Sequence, residues 1–261
     1  MQDLFSLSGK VALVTGASKE MGAETALLLA EYGADVAVTA RTAAQLEVVA
    51  ERIRGLGRRA VAIPADLTRS DDRQRIVATT LAQLGGIDIL VNVAGGGEYG
   101  NYGWALRLTE EQWENMLALN VTAPMFLAQA VAVAMRERGG GRIVNISSGA
   151  GMHPAPRMAN YGAAKAALNN LTETLAAEWA RFGIRVNTVV PGLVDTANAR
   201  TSTFATAERE AELLKLMPLG RFGAPRDIAA AVLYLVAPAS EWVTGATLVV
   251  NGGGGNLRTF G

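Results

Sequence analysis

The sequence predicts an α/β protein: a doubly wound sheet of seven mostly parallel strands, flanked by helices. Three observations carry that expectation. Short runs of β-branched and apolar residues alternate with longer amphipathic runs along the chain, the pattern of repeated strand–helix–strand units. Most of the short runs are continuously apolar, which suits parallel strands covered on both faces. With 261 residues, 50% hydrophobic and 18% charged, and with no fixed-period repeat or low-complexity linker, the chain can bury a large core as a single domain over 1–261.

Strands are expected at Val11 to Val14, Asp35 to Thr39, Ala60 to Ile63, Ile87 to Val91, Arg142 to Ile146, Arg185 to Val190 and Thr247 to Val250. Helices are expected at about residues 22–32, 43–56, 70–84, 110–137, 161–182 and 224–237, where apolar side chains return at helical spacing. Gly33, Gly57, Gly85 and Gly183 follow four of them as stop signals. Ligands in such sheets bind beyond the carboxyl ends of the strands, where the strand order reverses. The motifs below sit at those ends.

Composition removes several function classes. Formal net charge is +0 and the basic residues are scattered, so neither a nucleic acid nor an anionic membrane is an expected partner. There is no cysteine and His153 is the one histidine, which argues against disulfides, thiolate nucleophiles and a zinc site, and no metal is expected. The start, MQDLFSLSGK, lacks a cationic stretch followed by an apolar core, and no apolar run reaches the roughly 20 residues of a membrane span. A cytoplasmic protein is the expectation.

The first strand runs into Thr15-Gly16-Ala17-Ser18-Lys19-Glu20-Met21-Gly22 and then a helix. Unpaired N–H groups and the positive end of the helix dipole form an anion site there, and Gly16 permits the tight turn that brings backbone against a pyrophosphate. The bland alternative is an ordinary strand-to-helix turn. The second strand ends Val38-Thr39-Ala40-Arg41-Thr42, without the acidic residue that would bind a ribose 2′-hydroxyl. Arg41, with Lys19 nearby, suits a 2′-phosphate, so NADP(H) is expected over NAD(H). A merely solvated Arg41 is the competing reading.

Tyr161 and Lys165 stand four apart at the start of a helical stretch, and Ser148 precedes Tyr161 by thirteen residues at the end of an apolar strand. The spacing places phenol and ammonium on one helix face. A tyrosine titrates near pH 10, so a neighbouring cation would help it exchange a proton at neutral pH. Alone, the pair equally describes an aromatic at a helix start with a solvated lysine. Ser147 rivals Ser148 as the strand-end hydroxyl. A serine hydrolase fits poorly, because neither serine sits in G-x-S-x-G.

Together these motifs resemble the short-chain dehydrogenase/reductase family from Lys10 to about Gly253. The resemblance rests on TGASKEMG, the Asp66-Leu67 pair, NVAG at 92–95, Asn120, Ser148, YGAAK at 161–165 and PGLVDT at 191–196. It implies a Rossmann-type fold and a catalytic set of Asn120, Ser148, Tyr161 and Lys165. Ser148 would hydrogen-bond the substrate oxygen, Tyr161 would act as general acid or base, Lys165 would bind the nicotinamide ribose, and Asn120 would anchor a relay water. The implied cofactor contacts are Gly16, Ser18, Lys19, Met21, Gly22, Arg41, Asp66, Leu67, Asn92, Ala94, Gly95, Tyr161, Lys165, Pro191, Gly192, Val194 and Thr196. Asp66 would hold the adenine edge, and Val194 and Thr196 would meet the carboxamide.

The chain departs from the family pattern at Glu20, where the family keeps glycine, at Val93, and at Asn251. A carboxylate at 20 is adverse to a bound pyrophosphate unless it turns outward or pairs with a cation such as Lys19. The substrate is expected under residues 96–106, 149–158 and a loop/helix segment at about 193–217. Tyr99, Tyr102, Trp104, Met152, Phe204, Leu213, Leu214 and Met217 are candidates for an apolar wall or for subunit contacts. His153 is read either at the mouth or as a solvated residue. The glycine-rich segments look similar to bacterial hydroxysteroid dehydrogenases of the family, the general pattern to 3-oxoacyl carrier-protein reductases. The expected function is hydride transfer between NADP(H) and a small ketone or secondary alcohol. The alternative is a non-catalytic dinucleotide-binding regulator or structural subunit. The resemblance also implies a homo-oligomer, a tetramer, joined through the helix bearing Tyr161, its preceding neighbour and the carboxyl-terminal strand.

Overall fold

The computed structural model describes residues 3–97 and 102–254. Strands β1 (Val11–Thr15), β2 (Asp35–Ala40), β3 (Ala60–Pro64), β4 (Ile89–Asn92), β5 (Gly141–Ile146), β6 (Ile184–Pro191) and β7 (Thr247–Val250) form one sheet in the order β3-β2-β1-β4-β5-β6-β7. Every neighbouring pair is parallel. The chain winds outward from β1 to β3 and then crosses to the other side of β1, so the strand order reverses between β1 and β4.

The helices are α1 (Glu20–Glu31), α2 (Ala43–Gly55), α3 (Ser70–Leu84), α4 (Glu110–Leu117), α5 (Ala123–Glu137), α6 (Ala159–Trp179), α7 (Ala197–Ser202), α8 (Ala207–Leu214) and α9 (Pro225–Val236). They follow the expected positions, with α7 and α8 supplying the helical content of the 193–217 segment. Gly85 and Gly183 end α3 and the turn after α6 in the left-handed region, φ 84 and 71, where a side chain would be strained.

Two apolar cores sandwich the sheet. On one face Leu29, Leu46, Ile53 and Val232 pack against Val36, Val38 and Ile89, bringing α1, α2 and α9 onto β1, β2 and β4. On the other, Ile76, Leu127, Val131, Met135 and Leu175 bring α3, α5 and α6 onto Leu13, Leu90 and Ile143. Strands enclosed on both sides must be apolar throughout, which is why they read as continuous runs.

One correction concerns length and apolarity. Residues Glu110–Glu137 are helical throughout and, by length and composition alone, long and apolar enough to cross a bilayer, so the expectation that no such stretch exists is not met. Its inner stripe lies on the sheet, with Leu127, Val131 and Met135 fully buried. Midway the rod loosens into a single π-helical segment at Ala118–Thr122, a distortion that recurs at functional sites.

Candidate active site

The turns after β1 and β4 meet at the reversal of strand order. Thr15 joins them: its hydroxyl accepts from the Val93 and Ala94 backbone N–H groups, each at 3.1 Å. Gly16, at φ 64, presses so closely on that second turn that a Cβ would lie 2.8 Å from the Ala94 nitrogen. Gly22 is tighter still, since a Cβ there would overlap the Gly16 carbonyl. Ser18, Lys19, Glu20 and Met21 form the rim, with Lys19 exposed and the others half-buried. Val93, in place of the family's amide, packs against the core on the α1 side.

Glu20 holds φ 52, one of two non-glycine residues among those described with positive φ. The backbone therefore demands there what glycine supplies freely. Its carboxylate turns toward the covering segment and accepts the Asn198 backbone N–H at 3.2 Å. That contact, tying the β1 turn to α7, was not foreseen from sequence.

Arg41 is exposed just past β2. At the end of β3, one Asp66 carboxylate oxygen accepts from the Thr68 N–H and hydroxyl, at 2.9 and 2.7 Å, which fixes the side chain next to buried Leu67. Asn92 is buried at the end of β4 and donates to the Asn145 side chain at 2.8 Å. Asn145 in turn donates to Thr172 on α6, and Thr188 of β6 bonds the same hydroxyl, both at 2.9 Å. This buried chain fixes α6 against three strands.

Asn120 lies in the π-helical segment and is wholly buried. Its amide donates to the Met116 carbonyl at 3.0 Å, while its carbonyl oxygen accepts the Gly96 N–H at 3.1 Å. Lys165, 3% exposed, donates to the Ile146 carbonyl at 2.9 Å. The two converge on Gly95, where a Cβ would lie 2.8 Å from the Asn120 oxygen and 3.0 Å from the Lys165 nitrogen. Only a glycine lets the β4 turn pass between them.

The two rival serines are placed differently. Ser147 is buried and donates to the Lys165 carbonyl at 3.4 Å. Ser148 is half-buried, accepts the Ala150 N–H at 3.2 Å and has its hydroxyl beside the Tyr161 phenol. Lys165 Nζ stands 5.7 Å from the centre of the Tyr161 ring. Burial raises the Tyr161 pKa well above its ordinary value and Tyr102 adds to the rise, while the Ser148 hydroxyl opposes them. Burial also pushes the Lys165 ammonium down to about 8. In the protein by itself the phenol is thus held as a proton donor, and the lysine does not outweigh desolvation as the sequence reading had it.

Pro191 ends β6, and Gly192 passes under Asn251, whose Cα a Cβ at 192 would approach to 2.6 Å. Val194 is buried and bridges Gly223. The Thr196 hydroxyl accepts the Ala199 N–H at 3.1 Å and caps α7. The apolar-wall candidates divide: Phe204, Leu213 and Met217 are buried, with Phe204 stacked on Phe222, whereas Tyr102, Trp104, Met152 and Leu214 remain on the surface. Tyr99 lies outside the described residues. His153 is exposed.

These residues suit a dinucleotide with a redox-active ring. A glycine-formed turn opens onto the start of α1 with cations at Lys19 and Arg41, a fixed carboxylate stands at Asp66, and an enclosed lysine, phenol and hydroxyl meet beyond β4 and β5. Beside them lies Gly96, where no atom of the described residues comes within 4 Å of a Cβ built there.

Comparison with known proteins agrees with that arrangement. Residues 10–206 match the family model for short chain dehydrogenase. Over 248 residues the chain is 38% identical to a 3-oxoacyl acyl-carrier-protein reductase of Vibrio cholerae serotype O1, covering 95% of this chain and 98% of the relative. A 7α-hydroxysteroid dehydrogenase solved with NADH and 7-oxo glycochenodeoxycholic acid superposes with a TM-score of 0.91 at 35% identity, over 97% of this chain and 98% of that one. A gluconate 5-dehydrogenase from Burkholderia cenocepacia J2315, solved with NADP and tartrate, gives a TM-score of 0.89 at 33% identity, over 96% and 97%.

Proposed function

The chain belongs to the short-chain dehydrogenase/reductase family of NAD(P)-dependent oxidoreductases, and we propose that its reaction is hydride exchange between NADP(H) and a ketone or secondary alcohol. The observation that carries this reading is the convergence of Asn120, Ser148, Tyr161 and Lys165 beyond the ends of β4 and β5. When bound, the cofactor would supply or take the hydride. Tyr161, neutral by burial, donates its proton to the substrate oxygen during reduction, while Ser148 holds that oxygen in place. Lys165 binds the nicotinamide ribose and steadies the phenolate left behind. Asn120, already bound to both backbone groups of Gly96 at 3.1 and 3.2 Å, holds the β4 turn and anchors the relay water.

NADP(H) over NAD(H) rests on this chain's own residues, since solved relatives carry either cofactor. Arg41 and Lys19 would flank the 2′-phosphate, Asp66 the adenine, and Gly16, Ser18, Met21, Gly22, Leu67, Asn92, Ala94 and Gly95 the phosphates and adenosine. Pro191, Gly192, Val194 and Thr196 would line the carboxamide. We place the enzyme in the cytoplasm as one domain with 193–217 over the substrate, assembled as a homotetramer. Two apolar faces support assembly: exposed Phe126 beside half-buried Leu171 between α5 and α6, and exposed Val249 on the edge strand.

Absorbance at the reduced-nicotinamide band, with a panel of ketones and secondary alcohols and both cofactors, tests the reading. NADPH should support the higher kcat/KM. Tyr161→Phe should lower turnover 10²-fold or more while NADPH titration still shows binding. Near-normal turnover in that variant would overturn the mechanism, and a preference for NADH would overturn the cofactor assignment.

A further inference from the structure

A second phenol stands against the first. The rings of Tyr102 and Tyr161 meet edge to face, with centroids 5.6 Å apart and planes at 69°. The hydroxyl end of Tyr102 lies flat over Gly97: a Cβ there would fall 2.6 Å from its Cζ and 2.8 and 2.9 Å from its two Cε atoms. Residue 97 must therefore be glycine for the ring to lie where it does.

The residue is half exposed, with its hydroxyl end packed on Gly97, and burial raises its pKa. The Gly97 backbone opposes that rise, and a phenol O–H can serve as a donor to a bound ligand. Both tyrosines hang on one piece of backbone. The Gly103 N–H donates to the Arg157 carbonyl at 2.8 Å, and Gly103 bridges Met158, three residues before Tyr161. Arg157 adopts φ 67 to make this junction and lays its guanidinium over Trp104, 5.8 Å from the ring centre.

We infer that Tyr102 is a specificity-determining residue that donates a hydrogen bond to a second substrate oxygen, on the carbon adjacent to the reacting one. The position follows from the abutting rings, whose centroids are 5.6 Å apart: with the reacting oxygen at Ser148 and Tyr161, an oxygen on the neighbouring carbon would be the one turned to the second phenol. The substrate class is therefore a vicinal hydroxy ketone or diol. This rests on the ketone and alcohol reading above, and its test separates the two.

Reduction of cyclohexanone and of 2-hydroxycyclohexanone by NADPH is measured for the wild type, Tyr102→Phe and Tyr161→Phe. The wild type should favour the hydroxy ketone in kcat/KM by about tenfold, the scale of one hydrogen bond at a partly open site. Tyr102→Phe should lose most of that preference, chiefly through KM, with a much smaller change for the plain ketone. Gly97→Ala, which displaces the ring without removing its hydroxyl, should erode the same ratio. Tyr161→Phe should abolish both reductions. An unchanged ratio in Tyr102→Phe, with both ketones still reduced, would overturn the assignment and leave the ketoreductase reading intact. Reduction of neither ketone by a wild type that binds NADPH would overturn both.

Discussion

Lys165 shows how one residue trades stability for chemistry. Its ammonium is buried, and burial depresses its pKa from 10.5 to about 8. An unfolded chain then binds more protons than the folded one between about pH 8 and 10.5, so this residue's penalty is full below pH 8 and fades as pH rises toward 10.5. Lys165→Met should raise the stability of the cofactor-free protein at pH 7 by up to roughly 3 kcal/mol, from the linkage of 1.36 kcal/mol per pKa unit, and abolish turnover. Chemical denaturation at pH 7 and pH 10 checks this: the gain should shrink at the higher pH. Equal gains would mean that packing, not charge, sets the difference. At this scale sequence spacing brought the proposed reacting groups together, because four residues is one helical turn and fixes Tyr161 beside Lys165. It did not reveal Tyr102 as their polar neighbour, since that placement depends on the Gly103–Arg157 hydrogen bond, which no local pattern encodes.

Between elements, the contact from Glu20 to Asn198 links the β1 turn to α7. Three contributions compete at position 20. Left-handed backbone disfavours glutamate by roughly 1–2 kcal/mol, whereas its carboxylate at the start of α1 contributes about 0.3–1 kcal/mol and the bond to α7 adds to that. Alanine would keep the backbone strain and lose both gains; glycine would lose the gains and release the strain. Glu20→Gly should therefore melt at a higher temperature than Glu20→Ala, the reverse of the usual helix order, in which alanine exceeds glycine by about 1 kcal/mol. In both variants amide exchange in α7 should quicken. Melting in the ordinary order would mean that position 20 relaxes out of the left-handed region. The elements themselves were legible, since their apolar periods differ and glycines mark their ends. The π-helical segment was not, because it arises where Asn120 turns its amide back on the helix to reach Met116.

For the molecule as a whole, the α5/α6 face and the β7 edge are the surfaces left to explain. Phe126 is 47% exposed and Val249 42%, unusual for positions beside the core. Phe126→Asp should lower the assembly state seen by analytical ultracentrifugation, with the far-UV circular dichroism unchanged. An unaltered sedimentation coefficient would show that α5 is no contact surface. The architecture was readable because an all-parallel sheet imposes a repeated strand-and-helix rhythm on the chain. The proposed partner faces came only from the family resemblance, because an exposed phenylalanine looks in sequence like any other apolar position on its helix.

The parallel sheet also bears on how the protein is made. Each strand pair is joined across intervening helix or loop, and β6 finds its outer neighbour only after Thr247–Val250 has been synthesised. Until those residues leave the ribosome, the backbone groups along the outer side of Thr188–Pro191 have no strand to bond. The nascent chain therefore carries an open, apolar edge until that strand emerges, and pairing with another unfinished copy is then the principal hazard.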